Sequence, residues 1–216
     1  MKNLILIIFL YLFSISSFSA IQFNGSFGLN GPQDIAIKDD QNEYQLVLPD
    51  FAGELLINFK YIQLGAGSKV ISSSSVEVET QNGNNSQVET IESSFDFSVH
   101  SYYGILSILL SQREIDGPLA KLINLKTFIY LRGTYGFDNN LKTSLGEIGN
   151  VYETENLELT TASLWMGLSF GLFQFGIDVG QRWLRIKELT EVKSVQLKEL
   201  SKLDTPYINF FFGLEF

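Results

Sequence analysis

From Ile21 onward, apolar residues recur at every second position rather than every third or fourth. Ile21, Phe23, Phe27 and Leu29 share one face, opposed by Gln22, Asn24, Ser26, Gly28 and Asn30; this is the two-residue period of a β-strand. The pattern returns in Leu55, Ile57, Phe59 and Tyr61 against Asn58 and Lys60, and in Phe95, Phe97 and Val99 against Asp96, Ser98 and His100. Ile129, Leu131, Tyr135 and Phe137 oppose Tyr130, Arg132 and Thr134, and Ala162, Leu164, Met166, Leu168 and Phe170 oppose Thr161, Ser163, Gly167 and Ser169. Phe173, Phe175, Ile177 and Val179 then face away from Gln174, Asp178 and Arg182, and Ile208, Phe210, Phe212, Leu214 and Phe216 away from Asn209, Gly213 and Glu215. An eighth segment, Ser68 to Thr80, alternates poorly, because Ser72 and Ser74 interrupt the face of Val70, Val76 and Val78. Leu159 to Ile177 carries no charge and would pass a hydropathy scan for a helix. Its glycines 167, 171 and 176 and its alternation on both sides of Gly171 instead predict two strands and a tight turn at Gly171 and Leu172.

The polar face is poor in charge and rich in small residues, which suits a narrow lumen, while the continuous aromatic and aliphatic face suits lipid. The expected fold is all-β: a transmembrane antiparallel up-and-down β-barrel of eight strands, near residues 21–30, 54–64, 67–80, 88–103, 126–137, 159–170, 173–185 and 205–216. If the last strand runs towards the periplasm, the short connections at Gly65 to Gly67 and at Gly171 fall on the periplasmic side. The longer ones, 31–53, 81–87, 138–158 and 186–204, fall outside, as membrane barrels arrange them. The segment 104–125 is long for its side, and is expected to hold a strand extension followed by a turn at Asp116-Gly117-Pro118. A ten-stranded barrel, with additional strands at 44–51 and 105–112, is the alternative. Residues 186–204 are spaced either for a short helix or for a hairpin reaching beyond the membrane.

Before the alternating region, Lys2 precedes a ten-residue apolar run from Leu4 to Phe13 and a small, polar stretch to Ala20. That order is a secretory signal peptide. Ser17 and Ser19 place small residues for cleavage after Ser19, so 1–19 is read as a cleaved Sec-type signal and 20–216 as the barrel domain. The apolar run is short of the about 20 residues that a spanning helix needs. Lys2 is the only charge among the first 19 residues, so its removal takes the basic residues from 15 to 14 and the net charge from −9 to −10. Such a surface repels nucleic acid. The absence of cysteine excludes disulfides, thiol nucleophiles and a lipoprotein anchor. With one histidine as well, no transition-metal site is expected, and no cofactor.

The last ten residues, Tyr207 to Phe216, carry apolar side chains at 208, 210, 212, 214 and 216 and end on Phe. They resemble the C-terminal assembly signal of bacterial outer-membrane barrels, and with the signal peptide and eight strands the likeness to small OmpA-type or OmpX-type barrels covers residues 20–216. That resemblance implies residence in the outer membrane of a Gram-negative cell. It also implies contact with outer-membrane lipid and lipopolysaccharide, handling by periplasmic chaperones and the barrel-assembly machinery, and a monomeric state.

The alternation directs Lys60, Asp96, His100, Arg132, Asp178, Arg182 and Glu215 into the lumen. Charges of both signs there are expected to neutralise one another as a side-chain plug. The chain then reads as a non-enzymatic scaffold acting through its outer loops, with a narrow pore for ions or small solutes as the alternative. Ser98 and His100, two apart and preceded by Asp96, are similar to the lipid A deacylase site, where a histidine activates a serine. The order is reversed from that family's His-x-Ser, and a lumenal site would not meet lipid, so no catalytic residue is assigned.

Overall fold

The computed structural model describes residues 18–30, 33–37, 42–46, 49–73, 78–81, 88–91, 95–145, 149–187, 190–191 and 202–216. Residues 1–17 of the expected signal peptide, residues 74–77 of the poorly alternating stretch and most of 186–204 lie outside these. The strands in chain order are β1 (Phe18–Asn30), β2 (Gln33–Ile37), β3 (Asn42–Leu46), β4 (Pro49–Phe59), β5 (Ile62–Ser73), β6 (Val78–Gln81), β7 (Val88–Ile91), β8 (Phe95–Glu114), β9 (Lys126–Leu145), β10 (Gly149–Thr154), β11 (Leu157–Phe170), β12 (Phe173–Ile186), β13 (Thr190–Glu191) and β14 (Lys202–Glu215). A single turn of helix, α1 (Pro118–Leu122), separates β8 from β9.

Eight of these strands, β1, β4, β5, β8, β9, β11, β12 and β14, pair antiparallel in that order, and β14 closes on β1. Closure is finished by a reciprocal backbone pair, Ile21 N–H to Phe216 O at 3.0 Å and Phe216 N–H to Ile21 O at 2.8 Å. The register path Ala20, Asn58, Gln63, Ser107, Arg132, Ser163, Gly180, Tyr207 returns to β1 at Asn30, ten residues above its start. That stagger in eight strands corresponds to a tilt of about 40° and an interior that side chains can fill. The ten-stranded alternative falls. Residues 105–112 are the lower half of β8, and 44–51 is split between β3, which pairs with β2, and β4.

Several boundaries move. The turn expected at Gly65 to Gly67 lies at Lys60 and Tyr61, and both glycines stand inside β5 on its lumenal face. A Cβ on Gly65 would come within 2.3 Å of the Leu55 carbonyl, and one on Gly67 within 2.8 Å of the Tyr103 ring, so these glycines make space rather than a turn. β8 starts at Phe95, not near 88, because 88–91 pairs with 78–81 as a separate hairpin. It then runs to Glu114, which provides the strand extension expected within 104–125. β9 extends to Leu145, where β10 pairs with it.

Inside and outside change character along the strands. In the lower part, towards the turns at Lys60 and Gly171, Phe23, Leu55, Leu106, Leu131, Leu164 and Phe210 are exposed on the outer face. Gln22, Asn58, Gln63, Ser107, Arg132 and Gln174 are buried within. Towards the loops this reverses: Ile71, Phe97, Val99, Leu141, Leu157, Leu159 and Leu184 are buried inside. Asp96, His100 and Lys142 are exposed outside. The expected orientation of 95–100 is therefore corrected. Phe97 and Val99 point inward because this end of the barrel has an apolar interior, as in a water-soluble protein. On β9 the change coincides with a bulge, where Tyr102 pairs with Asp138 and Tyr103 with Gly136, leaving Phe137 as the extra residue.

Candidate functional site

The lumen is filled in layers that follow from alternation. At the turn end, Gln22 is wholly buried and joins four strands: its Nε2 donates to Asn24 Oδ1 (2.7 Å) and Gln174 Oε1 (2.9 Å). Its Oε1 accepts from Asn58 (3.1 Å) and Gln63 (3.4 Å). Gln174 passes the network to Glu215 by donating to its carboxylate. An amide offers donors and acceptors together, so these five can bond to one another without charge.

Above them lies a slab of Leu56, Phe128, Trp165 and Phe211, all buried, with Trp165 and Phe211 ring centroids 4.6 Å apart and Trp165 and Phe128 5.2 Å apart. Lumenal glycines give these rings their room: a Cβ on Gly167 would meet the Phe128 ring at 3.0 Å.

The next layer carries charge. The Arg132 guanidinium donates to the Glu54 carboxylate, with side chains 3% and 7% exposed, and Tyr103 Oη donates to the same carboxylate at 2.7 Å. Arg132 also stacks over Trp165 at 5.4 Å. One level higher, Arg182 donates to Asp50, and its guanidinium lies 5.0 Å from the centre of the Tyr207 ring. Lys69 is buried with its ammonium 5.4 Å and 5.6 Å from the ring centres of Tyr103 and Tyr207, while Tyr207 Oη donates to Asp178 at 3.3 Å. Three bases, Lys69, Arg132 and Arg182, thus meet three acids, Asp50, Glu54 and Asp178. Charges taken from water are tolerable only when neutralised and hydrogen-bonded in this way. The apolar layer described above closes the loop end.

The structure brings Arg132, Asp178 and Arg182 together in the charged layer, and places Glu215 below it, beside Gln174. Three residues expected in the lumen are elsewhere. Lys60 is exposed in the turn, 5.0 Å over the Tyr61 ring, because the strand ends at Phe59 rather than near residue 64 as its pattern implied. Asp96 and His100 are on the outer face near the loops, where Ser144 Oγ donates to Asp96 at 3.2 Å. Their outward direction removes the objection that they cannot meet a lipid. Among the described residues, however, no hydrogen bond joins His100 to Ser98 or to Asp96, the contact that an activated serine requires. Asp50, Glu54 and Lys69 were missed. Asp50 and Glu54 were legible as a backward continuation, in steps of two, of the face of Asn58, and Lys69 as the forward continuation of Gln63, Gly65 and Gly67.

Free space within the charged layer is a cavity of about 10 Å³ lined by Glu54, Lys69, Arg132, Asp178 and Tyr207 among others, and the apolar layer above holds another of about 10 Å³. Each is about one water in size. Outside, near the loops, paired charges line the side of β9, β11, β12 and β14: Arg185 with Asp204 at 2.5 Å, Lys187 with Glu158 at 2.5 Å and Lys142 with Glu153 at 3.0 Å. The hydrogen bond to Glu158 holds the Lys187 ammonium above the usual lysine range.

These features define a closed eight-stranded up-and-down barrel with a charge-balanced, side-chain-filled lumen. No protein-family model matches the chain, and comparison with the curated proteins finds no significant match.

Proposed function

We propose that this chain is an integral outer-membrane barrel, exported by a Sec-type signal ending at Ser19, and that it serves as a scaffold presenting its loops rather than as a conduit. The observation that carries this reading is the band of exposed apolar residues below the change of character. It runs from Phe51 to Ile57 on β4, from Ile129 to Phe137 on β9, and from Ile208 on β14 to Phe216 just beyond it. Nine strand residues at about 3.3 Å each, tilted about 40°, rise about 23 Å, close to the apolar band of membrane barrels. Phe27, Phe51, Tyr102, Tyr135 and Phe137 form its upper edge, all half exposed or more except Phe27 at 45%. Such a continuous apolar surface demands a partner, and lipid is the one that encircles a barrel. Water-sized cavities in a lumen of paired charges favour a scaffold over a pore.

On this reading the loops meet lipopolysaccharide, other envelope proteins or foreign surfaces, and the C-terminal residues Ile208, Phe210, Phe212, Leu214 and Phe216 engage the barrel-assembly machinery. Electrophoresis of the outer-membrane fraction tests the first part. The folded chain is expected there and migrates differently with and without boiling; recovery in a soluble fraction would end the proposal. Planar bilayers test the second. A reproducible single-channel current from the purified barrel would replace the scaffold with the narrow pore.

A further inference from the structure

We propose that the β8–β9 connection is a lipid anchor: a rigid apolar tip, ringed by cations, that seats among the headgroups of an anionic phospholipid leaflet at the turn end. This rests on the membrane-barrel reading. The other two connections at this end are two-residue turns, at Lys60 and Tyr61 and at Gly171 and Leu172, whereas this one spans residues 115–125 and contains α1. Three of its apolar side chains face outward: Leu119 is 76% exposed, Leu122 80% and Ile123 47%. Looseness does not explain that exposure. Ile115 N–H donates to Leu125 O (3.0 Å), Leu125 N–H to Ala120 O (2.8 Å) and Lys121 N–H to Gly117 O (2.9 Å), so the segment is closed on itself. Gly171 N–H donates to Ile123 O at 3.0 Å and ties it to the neighbouring turn. A segment held this firmly presents its leucines as a surface.

Two observations select the occupant. First, the tip continues an apolar outer face: Leu106, Ile108 and Leu110 of β8, each 45–56% exposed, lead into it. Second, the charged side chains at this end are Lys60, Arg113, Lys121 and Lys126 against Glu114, Asp116 and Glu215, with Lys126 paired to Glu114 at 3.5 Å and Glu215 bound to Gln174 in the lumen, a small positive balance in a chain whose net charge is −9. The Lys121–Asp116 pair, at 3.7 Å, is 74% and 97% exposed, and such a pair leaves its ammonium free to meet other anions. Leucines beside lysines at a membrane boundary are the chemistry of an interfacial anchor for anionic lipid.

The chain contains no cysteine, so a single one can be labelled anywhere. The barrel carrying Leu122→Cys, and separately Leu106→Cys in the middle of the apolar band, is labelled with a fluorophore. It is reconstituted in phosphatidylcholine vesicles with and without phosphatidylglycerol. Quenching by iodide in water is then compared with quenching by brominated lipid. The anchor predicts that the label at 122 is reached by brominated lipid and shielded from iodide severalfold, and more so with phosphatidylglycerol. Lys121→Gln with Lys126→Gln removes the dependence on phosphatidylglycerol. A label at 106 in lipid with 122 open to iodide at every composition overturns the anchor alone, and leaves the leucines to a protein partner. A label at 106 open to iodide overturns the membrane reading itself.

Discussion

Replacing Glu54 with alanine tests the charged layer directly. Its carboxylate accepts from Arg132 and from Tyr103, and Asn24 Nδ2 approaches it at 3.5 Å, so the change strips the guanidinium of its acid and leaves a buried hydroxyl without its acceptor. With side chains 3% and 7% exposed, water does not take over either role. Breaking one side of such a buried pair costs about 3–5 kcal/mol, a hundredfold or more in the ratio of folded to unfolded chain. Asp178, which lines the same cavity, tempers the loss without restoring the bond. Removing both partners, as Glu54→Leu with Arg132→Met, leaves no uncompensated charge and recovers the ion-pair part of that loss, because apolar replacements of similar volume substitute well for buried pairs; the Tyr103 hydroxyl, still without its acceptor, keeps about 1–3 kcal/mol of it. Urea titration of the refolded barrel in lipid vesicles reads both changes through tryptophan fluorescence, since Trp165 lies 5.4 Å beneath the Arg132 guanidinium. If the single change costs less than about 1 kcal/mol, or the double change costs as much as the single, the neutralised plug is not what holds this layer.

Three further outcomes are expected. Gly176→Ala drives a Cβ to 2.1 Å from the Met166 carbonyl and 2.6 Å from the Gly167 Cα, backbone that cannot yield, and costs about 1–3 kcal/mol; Gly25→Ala, with nothing within 4 Å, is neutral in the same urea titration. Deleting Phe216 removes both backbone hydrogen bonds to Ile21 and the edge contact with Phe23 at 6.3 Å, and lowers the yield of heat-modifiable barrel on gels. His100→Ala leaves lipid A unchanged by mass spectrometry of whole cells; a shift in acylation on this change would revive the hydrolase reading.

The period of two made the barrel and the lower register legible, because there the inward residues are small and polar and the outward ones large and apolar. Arg132, Asp178 and Arg182 could be placed from that contrast alone. The rule failed where the contrast reverses. Phe97 and Val99 have the same hydrophobicity as Phe210 and Ile208, yet one pair is buried against other strands and the other pair faces outward, a difference set by height along the barrel rather than by local pattern. Trp165 and Phe211 are hidden for a related reason: each sits at an inward position within an apolar run, where alternation offers no contrast. For two other rings a lumenal glycine carries a signal, since a Cβ on Gly67 would meet Tyr103 at 2.8 Å and one on Gly167 would meet Phe128 at 3.0 Å.

The seam between β1 and β14 joins the two ends of the chain, with Gln22 opposite Glu215. Every other pairing in the barrel links barrel strands that follow one another along the chain, but this one brings together the first of them and the last. Until it forms, the sheet has two open edges and no enclosed interior for its arginines and glutamines. Contacts of such long sequence separation are also the slowest to form. Closure of the lumen therefore waits on β14, however early the other strand pairs form.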